Sequence, residues 1–355
     1  MIRFITNNIA KCLLLLVAIS IIVFILVSVS PVDPVQANAG QTAYLNMSEA
    51  KRAQLAEYWG VNTPIWERYA NWAKDFIHGD MGTSLRYNAP VSEVIATRAL
   101  NSLALMASAW VISGLLGFIS GIAAGMNRGR LIDKLVKGYC FVLASSPTFW
   151  VALIFLMIFS VSLDWFPIGF SVPLGVSAAN VTIFDHLRHL ILPAITLSVV
   201  GVANIALHTR EKTIDVIESD YFRFALARGE RPWRALRKHG LRNLMMPALT
   251  LQFAAIAEIF GGAVLVEQVF SYPGLGQAAV TAGLGGDVAL LAGIAVISAL
   301  FVFTGNLIAN ILYGVVDPRI RGARKMLGAS GAVGAARDTG DTGSTDGIDK
   351  EQAGG

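Results

Sequence analysis

Six long apolar runs dominate the chain, at residues 12–29, 101–125, 138–163, 190–208, 247–270 and 288–315. Each reaches the length of roughly 20 residues that an α-helix needs to cross a hydrocarbon core about 30 Å thick. Lipid cannot satisfy open backbone groups, so such runs are forced to be helical. None shows the short alternating segments of a transmembrane barrel. The composition agrees, with 54% hydrophobic and only 15% charged residues in 355. Soluble domains average roughly 25% charged, so a soluble enzyme, a disordered chain and a nucleic-acid binder all drop out. Cys12 and Cys140 both lie inside apolar runs, which leaves no disulfide framework or thiolate metal site. The chain reads as an all-α membrane protein with six transmembrane helices.

Arg3 and Lys11 before the first run, and Ala37-Asn38-Ala39 after it, have the general form of a cleaved signal peptide. The apolar run is too long for that and the small-residue site lies too far beyond it. The segment 1–30 is therefore expected to remain as a transmembrane helix.

Lys and Arg in the short loops set orientation. With the N-terminus inside, the inner segments hold Arg3 and Lys11, then Arg128, Arg130, Lys134 and Lys137, then nine basic residues from Arg210 to Arg242, then Arg319, Arg321, Arg324 and Lys325. The two short outer loops carry one, Arg188. Residues 31–100 contain six basic and seven acidic residues, but loops of that length translocate largely regardless of charge. Both termini are expected to be cytoplasmic and 31–100 to be an extracytoplasmic cap, with Tyr58, Trp59, Trp66, Tyr69 and Trp72 for packing. The remaining parts are a five-helix core at 101–321 and a tail at 322–355. The tail is too rich in small and polar residues to order itself.

The inner loop 209–246 is the longest and reads as helix, turn, helix. Residues 213–228 form the first helix; Gly229 permits a left-handed turn; Pro232 suits a first helical turn; the second helix follows over 233–244. Arg231, Arg234, Arg237, Lys238 and Arg242 share roughly one face. Such a hairpin between two spans can carry force into the membrane if a soluble partner grips it.

At this loop the sequence resembles the membrane permeases of binding-protein-dependent ABC importers, in particular the dipeptide/oligopeptide/nickel branch. Their general pattern is Glu-Ala-Ala-x3-Gly-x9-Ile-x-Leu-Pro, of which Ala225, Gly229 and Leu241 match. The peptide branch looks like Arg-Thr-Ala-Arg-Ala-Lys-Gly, then His-Ala-Leu-Arg-Asn, then Pro. Arg223, Ala225, Ala227, Gly229, His239, Leu241, Arg242, Asn243 and Pro247 fit it, while Phe224 and Leu226 depart. Gly79-Asp80-Met81-Gly82-Thr83-Ser84, Ser146-Pro147-Thr148-Phe149-Trp150, Glu267 to Gly276 and Asp317-Pro318-Arg319-Ile320-Arg321 resemble further family elements, in order. Pro31-Val32-Asp33-Pro34 is a minor departure from the family's Gly-Asp-Pro.

The resemblance implies the type I importer permease fold and a heteromeric machine. This chain would pair with a second permease in membrane lipid. Two ATPase subunits would consume ATP and Mg, and an extracytoplasmic binding protein would deliver peptides, with nickel or another metal chelate as the alternative cargo. The loop 209–246 would couple to an ATPase. The chain has no Gly-x4-Gly-Lys-Ser/Thr loop of its own and is expected to bind no cofactor.

Polar residues inside the runs are the remaining candidates. Glu258 near the middle of the fifth run costs at least a few kcal/mol unless paired or wet, so it faces either the translocation path or the partner permease. Asn204 and Asn306 are further path candidates, as are His208 and Asn310, although such residues often bond neighbouring helices. Gly117, Gly121 and Gly125 form a double GxxxG run suited to close helix contact. Glu267 reads as structural. His186 and His189 stand at i,i+3 spacing with no third ligand nearby, so no metal site is expected. A stand-alone ion-coupled secondary transporter would need inverted repeats and midplane carboxylates. An intramembrane hydrolase would need a facing nucleophile and base. Neither pattern is present.

Overall fold

A computed structural model describes residues 2–60, 63–173, 175–176 and 180–316. Asp317 to Arg321, with Arg324, Lys325 and the tail 322–355, lie outside the described residues. The helices in order are α1 (Ile2–Val29), α2 (Pro34–Ala39), α3 (Gln41–Asn46), α4 (Glu49–Tyr58) and α5 (Ile65–Ile77). A two-stranded antiparallel hairpin, β1 (Thr83–Ser84) and β2 (Ala89–Pro90), pairs Thr83 with Pro90 and leads into α6 (Val91–Met126). Next come α7 (Leu131–Ser145), α8 (Thr148–Phe155) with a π-helical continuation at Leu156–Ser162, and α9 (Ile183–Glu218). The chain ends with α10 (Asp220–Ala227), α11 (Pro232–Ala235), a π turn at Leu236–Gly240, α12 (Leu241–Ala254), α13 (Ile256–Val269), α14 (Leu275–Leu284) and α15 (Val288–Val316). Residues from Ile308 onward form a separate unit, of which the end of α15 is described.

Among the described residues, three helical stretches are long and apolar enough to cross a membrane singly: Asn8–Val29, Val91–Met126 and Val288–Ile308. Three bent pairs bring the number to as many as six. The third run is therefore not one rod. It turns by 108° between α7 and α8, where Ser146 is extended ahead of Pro147; proline disfavours the helical conformation in the residue before it. The fifth run bends by 51° between α12 and α13 at Ala255. There the Gln252 carbonyl accepts a hydrogen bond from the Trp110 indole nitrogen at 2.8 Å, which keeps a backbone group satisfied inside the bundle.

The centre of the molecule is the seam between α6 and α9. A β-carbon built on Gly117, Gly121 or Gly125 would lie 2.8 Å from Ile205 Cβ, 2.6 Å from the Ala206 carbonyl and 2.5 Å from Thr213 Cβ. No real side chain fits at those separations, so the double GxxxG run is a packing surface. Leu105 and Ala109 of α6 close a core with Leu192 and Leu197 of α9 and Ile259 and Ala263 of α13. Nearer its start, α6 packs Val91 and Ile95 on Leu275 and Ala278 of α14 and Leu290 of α15. At its far end, Ile122 meets Phe222 and Leu236 beyond α9. Thirty-six residues at 1.5 Å each make α6 about 54 Å long, so these last two clusters lie at opposite ends of the bundle. Gly121→Val should lower the thermal stability of the purified chain, since forcing extra methyls into a packed seam costs about 1–3 kcal/mol. A melting profile equal to that of the parent would show that the seam is looser than this geometry.

Candidate functional site

The hairpin expected at 209–246 forms with one difference. The helix expected over 213–228 is interrupted, because α9 runs on to Glu218 and Ser219 is extended (φ −71°, ψ 149°) before α10 starts. Gly229 ends α10 at φ +86°; its N–H bonds the Leu226 carbonyl at 2.9 Å and the Glu230 N–H bonds the Ala225 carbonyl at 3.2 Å. Glycine adopts that left-handed turn without steric cost. Pro232 then opens α11 at its first position. Phe222, Ala225, Ala235 and Leu236 are buried against Ile122 and Val216, with Leu241 partly buried beside them.

The residues singled out in the loop thus divide between two sides. Ala225 and Leu241 belong to the base, whereas Arg223, Ala227, Gly229, His239, Arg242 and Asn243 are exposed. Arg231, Arg234, Arg237 and Lys238 are exposed as well. The spacing of charges does not reveal the aromatic part of this surface: Phe224 is 65% and Trp233 61% exposed. Phe224 is also one of the two departures from the peptide-branch pattern, the only hint in the sequence that this position is unusual. Asn243 donates to the Tyr221 hydroxyl at 3.1 Å, and Glu230 lies 3.4 Å from both Lys238 Nζ and His239 Nε2. Burial pushes the Glu230 carboxyl up, but the hydrogen bonds and charges of His239 and Lys238 outweigh it and hold the pKa below the usual carboxylate value. The Glu230 carboxylate therefore stays charged at neutral pH and loses its charge, and its attraction to Lys238, only as pH falls through that lowered value.

Where α9 enters this loop it is tied to α7 by an ion pair that no motif marks. Arg210 of α9 grips Asp133 of α7 with two hydrogen bonds, Nε to Oδ1 at 2.5 Å and Nη2 to Oδ2 at 3.0 Å. Gly129 N–H adds a bond to Oδ2 at 2.8 Å, and Glu211 takes a further Arg210 hydrogen at 2.5 Å. The Asp133 side chain is 1% exposed. Nearby, Arg128 pairs with Glu218 on the surface.

Within the spans the path candidates are all exposed on the single chain. Glu258 stands in the first turn of α13, just beyond the bend, and has no hydrogen-bond or ion-pair partner among the described residues. Asn306 and Phe260 line one cavity of about 350 Å³ with Leu15 and Ile19 of α1, which places Asn306 close to the helix of Glu258. Asn204 and His208 lie on exposed positions of α9, and the Asn310 side chain is outside the described ones.

At the other end, two buried carboxylates hold the turns. Glu267 accepts from Ser102 Oγ at 2.6 Å and from Gln277 N–H at 3.0 Å, and Ser102 Oγ accepts from Leu275 N–H at 2.8 Å. A β-carbon on Gly274 would fall 2.2 Å from the Glu267 carboxyl carbon, so the carboxylate packs directly on the turn and acts structurally. Asp287 accepts from Ser84 Oγ at 2.6 Å and from Arg86 N–H at 3.1 Å, which explains the Gly79 to Ser84 element as a clasp. His189 Nδ1 donates to the Gly169 carbonyl at 2.8 Å, while His186 is exposed. Among the described residues no three His, Cys, Asp or Glu side chains are grouped to hold a metal.

Removing one partner from a buried ion pair strands the other charge and costs about 3–5 kcal/mol, whereas replacing both by apolar groups is often near neutral. Asp133→Leu should therefore destabilise the purified chain strongly, and Asp133→Leu with Arg210→Met should recover most of the loss in thermal unfolding. A double variant no better than the single would mean that the pair is not the anchor.

Comparison with known proteins bears on what this arrangement is for. The family model described as "Binding-protein-dependent transport system inner membrane component" matches residues 115–322, and its N-terminal companion matches 1–104. The oligopeptide transport system permease protein AppB of Bacillus subtilis is 38% identical over 309 residues, covering 86% of this chain and 95% of that one. The dipeptide transport system permease protein DppB of Escherichia coli K12 is 30% identical over 90% of this chain and 99% of its own length. The di/tripeptide transport system permease protein DppB of Pseudomonas aeruginosa is 31% identical over 91% and 100%. With both models matched in register along one helical chain, this protein belongs to the family of inner membrane components of binding-protein-dependent transport systems.

Proposed function

We propose that the chain is the permease subunit of an ATP-driven importer of peptides, embedded with six spans in the cytoplasmic (inner) membrane with both termini inside. The observation that carries this reading is the rooted hairpin. Its base is buried on α6 and α9, its outer surface is free, and α9 leads from it, through a 48° bend near Gly201, into the core beside α13. A force applied to α10 and α11 therefore has a continuous helical route, shared with α6 across the glycine seam, into the bundle. The similar proteins are all named as peptide permeases, which supports peptides over nickel as cargo.

On this reading α10 and α11 dock on one of two ATPase subunits, which bind and split ATP with Mg, and Arg223, Ala227, Gly229, His239, Arg242 and Asn243 present the docking surface. Ala225 and Leu241 seat it on the bundle. A second permease completes the path, and closure of the ATPases rocks the two permeases as rigid bodies. Residues 31–100 face the outside, where a binding protein delivers the peptide. Glu258, Asn204 and Asn306 line the path or the seam with the partner permease, since an unpaired carboxylate on a span cannot face lipid cheaply.

Purifying the tagged chain gently and identifying its companions by mass spectrometry tests the assembly. A second permease and two ATPases are expected, and recovery of the chain alone, active in a gradient-driven assay, would overturn it. Gly229→Glu places a side chain on a left-handed turn and a charge on the docking face; ATP hydrolysis should continue while peptide uptake falls at least tenfold. Normally coupled uptake would remove the loop from the mechanism. Glu258→Gln should reduce uptake of cationic peptides more than neutral ones, and an equal fall for both would assign Glu258 to the permease seam.

A further inference from the structure

A cavity of about 490 Å³ opens where α1 leaves the bundle, between Ser28 of α1, Asp33, Arg52 of α4, Arg68 of α5 and the Gly286–Val288 turn into α15. Its lining carries two cations and one acid. Arg52 spends one Nη2 hydrogen on the Leu45 carbonyl at 3.1 Å and lies over the Tyr44 ring at 4.5 Å. Its Nε is shut off from solvent with no hydrogen-bond partner, and so is the Ser28 hydroxyl. Arg68 is half-buried with its guanidinium 5.8 Å from the centre of the Phe24 ring. Neither arginine pairs with a carboxylate among the described residues. The single acid in the lining, Asp33, is occupied by its own neighbours: Oδ1 caps α2 through Val35 N–H at 2.8 Å and Gln36 N–H at 3.5 Å.

Buried donors left unmade each cost about 1–3 kcal/mol, more when charged. Two arginines and a serine hydroxyl with spare hydrogens around one cavity therefore call for an anion with several acceptor oxygens, which is the pattern a phosphate offers. The surroundings say where the phosphate comes from. The same turns of α1 expose Ile22, Ile25, Leu26 and Val29, the last two at 66%. Trp66 of the same helix α5 is exposed on another face than Arg68, and tryptophan favours the headgroup level of a bilayer. On the spanning arrangement the apolar face of α1 lies in lipid, which puts phospholipid headgroups at the mouth of the cavity.

We propose that this cavity binds the phosphodiester headgroup of an anionic phospholipid, with an acyl chain laid along the exposed face of α1. The site lies on the membrane face assigned above to the outside, so the lipid belongs to the outer leaflet. It rests on the spanning arrangement but not on the cargo, and its test can fail while uptake and partner capture succeed.

The experiment is native mass spectrometry of the assembled complex, purified with the full chain and supplied with phosphatidylglycerol or phosphatidylethanolamine. The parent should hold one phosphatidylglycerol per copy of this chain and keep it at least tenfold more tightly than R52Q/R68Q. Equal retention by the variant, or equal retention of phosphatidylethanolamine, overturns the proposal. So does release of the lipid by millimolar inorganic phosphate, which would mark a site for a free anion. Loss of binding-protein docking in a variant that still holds its lipid would reassign the arginines to a protein carboxylate. If the double variant does not assemble, Ala56→Trp fills the cavity with both charges in place; it must release the lipid, and retention overturns the site equally.

Discussion

Backbone-to-backbone contact between α6 and α9 governs where everything else in this molecule can sit. Three glycines four residues apart let two helices of thirty-six residues touch over several turns. Small side chains are the means by which helices in lipid gain close contact, since no hydrophobic difference separates helix from solvent there. With that pair fixed, α13 and α8 fill one side, α14 and α15 close one end, and the hairpin of α10 and α11 closes the other. The two helices run side by side in the same direction, and α6 spans about 54 Å between the two ends.

The ends are secured by polar contacts of one kind: a carboxylate that sequesters hydrogens from a distant part of the chain. Asp133 takes those of Arg210, Glu267 those of Ser102 and Gln277, and Asp287 those of Ser84 and Arg86. Each is almost wholly buried. Each also has its donors in place, which is the condition for a buried charge to be tolerated. The contrast with Glu258 is chemical: the first three carboxylates hold the chain to itself, whereas the fourth is exposed and has no partner among the described residues.

Much of this was legible in the sequence because it is local. Hydropathy located the long apolar helices, the GxxxG spacing located the seam, and Gly229 with Pro232 located the turn of the hairpin. What sequence periodicity missed depends on residues far apart. The Asp133–Arg210 pair joins positions 77 residues distant, and no spacing rule connects them. Hydropathy also reports length but not direction, so it merged α7 with α8 and α12 with α13. The first merger could have been avoided, because Ser146-Pro147 announces an extended residue. The second could not, since Ala255 carries no breaking residue and its bend is supported by an indole from another helix. The interruption at Ser219 was hidden by the helical propensity of its neighbours. Exposure of Phe224 and Trp233 was equally hidden, as apolar residues in an amphipathic loop are normally assigned to the buried side.

The bend at Ala255 divides the fifth span into halves with different loyalties. Below it, α12 is stitched to α6 through the reciprocal contacts of Trp110 and Gln252. Beyond it, α13 is clamped through Glu267 to Ser102 of α6 and to the backbone of Gln277 at the start of α14. On the proposed coupling, a twist entering from the hairpin would pass into α6 through Trp110 and Gln252 as well as into α13, with the backbone at Ala255 as a universal joint between the two halves. Glu258, one turn above that joint, is the first ionisable side chain to feel the change of angle.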